Sequence, residues 1–212
     1  MKNNKIAIVT GGAGFIGSHM VDLLLSKNFK VKVIDNLISG KRENFSHNKK
    51  NKNFFFTKKD ILRLNKTDKI FKNADYVFHF AGIASLVPSI EEPVKYLNTN
   101  TLGTAKVLEA SRYNKIKKFI YAASASCYGK TYNKVTEKNK INIENPYALS
   151  KFLGEKTALE WSKIYNLPVI SLRIFNAYGE RSLSSGIYGS VIGNFLKQKN
   201  SDKPLTIVGD GN

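Results

Sequence analysis

KIAIVTGGAGFIGSHMVDLLLSKNFKVKVID, residues 5–35, decides the fold. Lys5 to Thr10 is a short apolar run, Phe15 to Leu25 carries apolar side chains at helical spacing, and Lys30 to Asp35 alternates as a strand does. Strand, helix, strand is a βαβ unit. Its first turn is Thr10-Gly11-Gly12-Ala13-Gly14-Phe15-Ile16-Gly17, which satisfies both GxxGxxG (Gly11, Gly14, Gly17) and GxGxxG (Gly12, Gly14, Gly17). Glycines there permit a tight turn and let the backbone approach a pyrophosphate, whose charge rests on the amides and dipole of the helix N-terminus. Such a loop is a weak signal alone and a strong one here, after the first strand and opening the first helix. Asp35 ends the second strand close to the expected offset of about 20 residues, where a carboxylate accepts from the adenosine ribose hydroxyls and repels a 2′-phosphate. NAD is therefore favoured over NADP, although Lys41 and Arg42 lie nearby.

Working outward, further strands are expected at Phe54 to Thr57, Tyr76 to Phe80, Lys118 to Ala123 and Val169 to Ile174, with helical segments at about 66–72, 94–113 and 147–165. This alternation predicts an α/β fold, a Rossmann-type doubly wound parallel sheet with helices on both faces. Asn36 to Asn53 is polar, basic and aperiodic, and reads as a loop with room for a short helix. After Gly179 come a Gly/Ser-rich loop, a helix near 190–199, a strand at Leu205 to Val208, and Gly209-Asp210-Gly211-Asn212, which reads as a turn with nothing after it. The expected organisation is a dinucleotide-binding domain over residues 1–178 and, over 179–212, the beginning of a smaller, truncated substrate-binding region.

Composition narrows the function. The 212 residues are 42% hydrophobic and 11% aromatic, a globular rather than a disordered balance. One cysteine, Cys127, cannot form an internal disulfide or a multi-thiolate zinc site, and His19, His47 and His79 lack zinc-ligand spacing, so no metal site is expected. No apolar run approaches a membrane span and the start does not read as a signal peptide, which predicts a cytoplasmic protein. The 34 basic against 16 acidic side chains give +18, a charge that attracts polyanions. Only Arg42, Arg63, Arg112, Arg173 and Arg181 are arginine, and lysine is accompanied throughout by asparagine. That pattern suits a compositional bias over a solvated surface; with no aromatic RNA-reading motif, nucleic acid is not the expected partner.

Two more constellations carry chemistry. In Asn145-Pro146-Tyr147-Ala148-Leu149-Ser150-Lys151, asparagine is a natural N-cap and proline a favoured first helical residue, so a helix begins here. Tyr147 and Lys151 are then neighbours one turn apart, about 6 Å. A phenol, with a pKa of about 10, is a poor base at neutral pH, and an ammonium alongside stabilises the phenolate in a dry site. At the end of the fifth strand, Ala122-Ala123-Ser124-Ala125-Ser126-Cys127-Tyr128-Gly129 places hydroxyls where open α/β sheets bind ligands. Ser124 can bond the reacting oxygen and relay its proton to Tyr147. His79 reads as a packed strand histidine rather than a base, and the small Ala81-Gly82 pair beyond it would let a cofactor lie flat.

Together these residues resemble the extended short-chain dehydrogenase/reductases, and within them the NAD-dependent epimerase/dehydratase group typified by UDP-glucose 4-epimerase. The resemblance runs nearly end to end. It implies cofactor binding by Gly11, Gly14, Phe15, Ile16 and Gly17, by Asp35 and Asn36 at the ribose, by Asp60 and Ile61 at the adenine, and by Phe80, Ala81, Gly82, Asn100 and Phe175. It implies Ser124, Tyr147 and Lys151 as the catalytic trio, with Tyr147 and Lys151 also on the cofactor. Ser124, Tyr147 and Asn176 would bind substrate, Asn176 at the diphosphate within Arg173-Ile174-Phe175-Asn176-Ala177-Tyr178-Gly179. The implied reaction is epimerisation of a UDP-hexose at C4 through a 4-keto sugar, by a homodimer built on the helices at 94–113 and 147–165. Related dehydratases and decarboxylases carry acidic residues where this chain has Ala125 and Ser126, so a simple epimerase is the better match.

Overall fold

The structure, a computed structural model, describes residues 5–132, 134–182 and 191–207. Its six strands are β1 (Ile6–Thr10), β2 (Lys30–Asp35), β3 (Phe54–Lys58), β4 (Tyr76–His79), β5 (Lys118–Ser124) and β6 (Val169–Ile174). All neighbours are parallel, in the order β3-β2-β1-β4-β5-β6. This is the Rossmann order, whose direction reverses between β1 and β4 and opens a crevice beyond their carboxyl ends. The helices are α1 (Phe15–Ser26), α2 (Leu86–Glu91), α3 (Pro93–Leu97), α4 (Gly103–Tyr113), α5 (Pro146–Tyr165) and α6 (Val191–Asn200).

Alternation along β1 and β2 sorts the core into two layers. Ala7, Val9, Val31 and Val33 face Val21, Leu24 and Leu25 of α1. Ile8 and Ile34 face the other way and join Val107 and Leu108 of α4 and Ala158 of α5, together with Phe119 and Tyr121 of β5. Burial on both faces explains why these strands read as near-continuous apolar runs. Asn145 caps α5 as expected, its side chain accepting from the Ala148 amide at 2.9 Å with Pro146 in the first turn.

The structure refines some expectations and overturns others. The helix expected at 66–72 is a single 3-10 turn, Lys69–Phe71. The Asp68 carboxylate there takes the Asn65 amide and the Lys59 ammonium, and Asn73 turns left-handed at φ 60, so the chain curls before a helix can propagate. The helix at 94–113 is α3 and α4 joined through a π-helical turn, Asn98–Leu102. Residues 42–48 form a 3-10 stretch that buries Phe45 on Phe54 and Phe56. α2 had no counterpart in the sequence reading. Residues 205–207 are not a strand: Thr206 is held by the Gln198 side chain instead, donating its amide to Oε1 and accepting from Nε2. Val208 and the expected turn at 209–212 lie outside the described residues, as does most of the Gly/Ser-rich loop. Contacts divide the chain into Met1–Phe175 and Asn176–Asn212, and Asn176 belongs to the second unit.

Candidate active site

The carboxyl ends of β1, β2 and β4 build a cleft from backbone. Gly11 takes φ 70 and Gly14 donates its amide to the Gly11 carbonyl at 3.0 Å, which folds the loop back before α1 starts. A Cβ on Gly17 would stand 2.1 Å from that carbonyl oxygen, and one on Gly11 2.6 Å from the Ala81 amide nitrogen. Glycine is thus required at both positions for the close approach. No side chain caps α1, so the amides at its start are available to an anion. Phe15 and Ile16 are half-buried in its first turn.

Asp35 is buried at the end of β2. Its Oδ2 accepts the Ala13 amide at 3.0 Å and its Oδ1 the Leu37 amide at 2.8 Å, which ties the glycine loop to the second strand. Asn36 donates through Nδ2 to Asp60 Oδ2 at 3.0 Å, and Asp60 Oδ1 accepts the Leu62 amide. Ile61 turns its side chain into the core against Gly103, which leaves its backbone for any contact with a base. Phe80 packs on the α1 layer. Asn100, buried in the π-helical turn, accepts the Ile83 amide through Oδ1 at 2.8 Å and donates through Nδ2 to the Ile83 carbonyl and the Ser150 hydroxyl. Its side chain therefore supports the segment beyond β4 from behind. A loop that folds glycine onto glycine, a helix start without a cap and a buried acid at the second strand fit a dinucleotide.

The three residues expected to act together, Ser124, Tyr147 and Lys151, lie near the end of β5. Tyr147, in the first turn of α5, donates its hydroxyl to Ser124 Oγ at 3.4 Å. Ser124 Oγ also lies 2.8 Å from Ser126 Oγ and accepts the Ser126 amide at 3.2 Å. Lys151, one turn along, donates to the Ala122 carbonyl at 2.5 Å, and its ammonium stands 3.9 Å from where a Gly82 Cβ would be. Burial pulls the Lys151 ammonium down to about 8, against the opposing pull of Glu155. Its ammonium also lies 4.6 Å over the Tyr121 ring. Phe175 stacks on Tyr128 at 6.5 Å. What the arrangement can do is pass a proton between the Tyr147 and Ser124 hydroxyls, with a half-buried ammonium one helical turn along α5.

Residues 7–212 match the model of the NAD dependent epimerase/dehydratase family. The chain belongs to that family. Its NAD dependence agrees with the cofactor expected from Asp35. A Methanocaldococcus jannaschii protein whose name assigns it provisionally to the UDP-glucose 4-epimerases is 38% identical over 97% of this chain and 66% of its own length. UDP-glucuronic acid decarboxylase 4 of Arabidopsis thaliana is 32% identical over 96% of this chain and 46% of its own length. Among solved structures, UDP-N-acetylglucosamine 4-epimerase of Methanobrevibacter ruminantium M1 superposes with a TM-score of 0.93 at 37% identity, covering 98% of this chain and 66% of that one. UDP-glucuronic acid 4-epimerase of Bacillus cereus, solved with NAD, gives 0.88 at 32% identity over 97% and 67%. The chain thus spans from under half to about two thirds of the length of these members of the family. No helix among the described residues is long and apolar enough to cross a membrane.

For a family member, two supports of the trio were missed in the sequence. Glu155, buried on α5 one turn after Lys151, accepts Arg173 Nε on both oxygens at 3.1 Å, and Arg173 also donates to the Tyr128 hydroxyl at 2.7 Å. Ser89 on α2 accepts the Tyr147 amide at 3.1 Å. The i, i+4 spacing of Lys151 and Glu155 was the available signal for the first; nothing local pointed to the second.

Proposed function

We propose that this chain carries the cofactor-binding and proton-transfer part of an NAD-dependent nucleotide-sugar 4-epimerase acting on a UDP-hexose. The observation that supports this best is the Tyr147 hydroxyl at 3.4 Å from Ser124 Oγ with Lys151 half-buried one turn along. The glycine loop, Asp35, Asn36, the Asp60–Ile61 backbone, the Phe80–Gly82 segment, Asn100 and Phe175 would hold NAD. When bound, NAD supplies a reversible hydride acceptor. Tyr147 takes the proton of the sugar 4-hydroxyl and returns it after the sugar has turned over, with Ser124 bridging the two oxygens. Lys151, whose ammonium donates to the Ala122 carbonyl, would hold the nicotinamide ribose, as the family resemblance implies. Asn176, in the second unit, is assigned to the substrate diphosphate by family resemblance. Ala125 and Ser126 put no carboxylate next to Ser124, which favours epimerisation over elimination or decarboxylation. The exposed Leu102, Tyr113, Leu149 and Leu153 on the two long helical runs suit a homodimer. The cofactor domain would close near residue 178, and the segment beyond it would begin the substrate-binding region.

The test is Tyr147→Phe in the full-length protein, followed by interconversion of UDP-glucose and UDP-galactose. Loss of the proton relay is expected to lower kcat by about 10²–10⁴-fold with NAD still bound. An unchanged rate overturns the assignment.

A further inference from the structure

Thr10, His79, Asn100 and Thr104 are buried, and no step above uses the ring of His79. That ring joins two elements that flank β4 in space. Its Nδ1 lies 2.6 Å from Thr10 Oγ1, at the residue that leads into the glycine loop, and its Nε2 lies 2.9 Å from Thr104 Oγ1 on α4. The proton directions follow from the outer ends of this chain of bonds. Thr104 donates its hydroxyl to the Asn100 carbonyl at 2.7 Å, which only accepts, so the Thr104 oxygen must receive Nε2–H. Nδ1 then carries no proton and accepts the Thr10 hydroxyl, whose oxygen in turn accepts the Ala81 amide at 3.3 Å. Burial, helped by the Lys151 charge, pushes the imidazole down to about 3, so the ring stays neutral at working pH and keeps this tautomer. The aromatic rings of Phe119 and Tyr121 cover its remaining sides.

Both ends of the chain terminate on one segment. One is the Ala81 amide, against which Gly11 is packed. The other is Asn100, whose side chain grips the amide and carbonyl of Ile83 and whose Oδ1 would lie 2.9 Å from a Cβ on Gly82. We propose that His79 is a positioning residue for the dinucleotide, holding the segment from Phe80 to Ile83 at both ends through Thr10 and Thr104. The inference rests on the reading of the cleft as an NAD site.

The experiment uses the 212-residue chain. Thr10→Val and Thr104→Val keep the side-chain shape and remove the hydroxyl, whereas Thr10→Ser and Thr104→Ser keep the hydroxyl. NAD affinity is measured by calorimetry and thermal midpoints are recorded without ligand. Each valine variant is expected to bind NAD about tenfold more weakly, and each serine variant to recover wild-type affinity. Long-range ¹H–¹⁵N spectra of the unmodified protein should show His79 protonated at Nε2, a readout that does not depend on any variant folding. Valine variants with lowered midpoints but unchanged NAD affinity overturn the inference, as does an Nδ1-protonated ring. A wild-type chain that binds no NAD removes the parent reading and this inference with it. Wild type that binds while the valine variants bind equally well defeats the inference alone.

Discussion

At the ends of β2 and β3, Asp35 and Asp60 each accept an amide two residues further on, from Leu37 and Leu62. Between α5 and β6, Glu155 and Arg173 satisfy each other across 18 residues, and Arg173 reaches Tyr128 across 45. Around Asp35 and Asp60, part of the support thus comes from bonds that an aspartate forms with its own turn, beside the longer-range bonds to Ala13 and Asn36. The region around Ser124, Tyr147 and Lys151 depends on charged side chains brought together only by the finished sheet. A local arrangement survives modest damage, because the turn that supplies the donors is adjacent in the chain. A long-range buried pair has no such reserve, and removing one partner strands the other charge.

The largest effect expected from this contrast is at Glu155. Glu155→Ala leaves Arg173 half-buried with the Tyr128 hydroxyl as its remaining side-chain bond among the described residues, and breaking a buried pair costs about 3–5 kcal/mol. Urea denaturation of the single variant should show a loss of that size. Combining Glu155→Ala with Arg173→Met should recover much of it, since the stranded charge is then gone. If the double variant is as unstable as the single one, the pair is not what holds α5 to β6, and the contrast between the two ends fails.

His79 gives the next effect, through pH. Its folded value of about 3 lies below the ordinary 6.5, so the neutral form favours folding. Its contribution is complete above about 6.5 and falls away as pH drops toward 3, by about 1.4 kcal/mol for each pH unit in that window. Asp75 and Glu109 are held below the ordinary carboxylate range by Lys117 and Arg112, and their contributions are lost only as pH falls to that range and below. Between pH 6 and 5 the slope therefore belongs largely to His79. Denaturation of wild type and His79→Gln across that interval should give a steeper pH dependence for wild type; parallel slopes would show the ring to be reachable by protons while folded.

How much was legible in the sequence follows the same division. The glycine loop, Asp35 and the Tyr147–Lys151 spacing are patterns within a turn or two of chain, and the six strands showed in their alternating or continuous apolar runs. Glu155–Arg173 and the Thr10–His79–Thr104 chain join residues whose neighbours say nothing of one another, because strand order rather than spacing sets the contact. α2 was missed since a six-residue helix containing Pro88 has too little periodicity to stand out. The strand expected at Leu205 to Val208 failed for the opposite reason: its composition suits a strand, but pairing is what makes one, and Gln198 satisfies Thr206 instead.

The smallest effect tests the local rule inside the region of Ser124, Tyr147 and Lys151. Asn145 caps α5 only three residues before the Ala148 amide it accepts, and Tyr147 sits within that first turn. Replacing a cap asparagine by alanine costs about 1 kcal/mol. The Tyr147 amide is separately held by Ser89 Oγ, so the first turn should loosen rather than unwind. Asn145→Ala is therefore expected to lower stability by about that amount and to speed hydrogen exchange at Ala148 more than at Tyr147. Equal acceleration at both amides would mean that Ser89 contributes nothing, and that the tyrosine owes its place to the cap alone. In that case even this end of the cleft is governed by a bond written in adjacent residues, and the division between the two ends is narrower than the Glu155–Arg173 pair makes it.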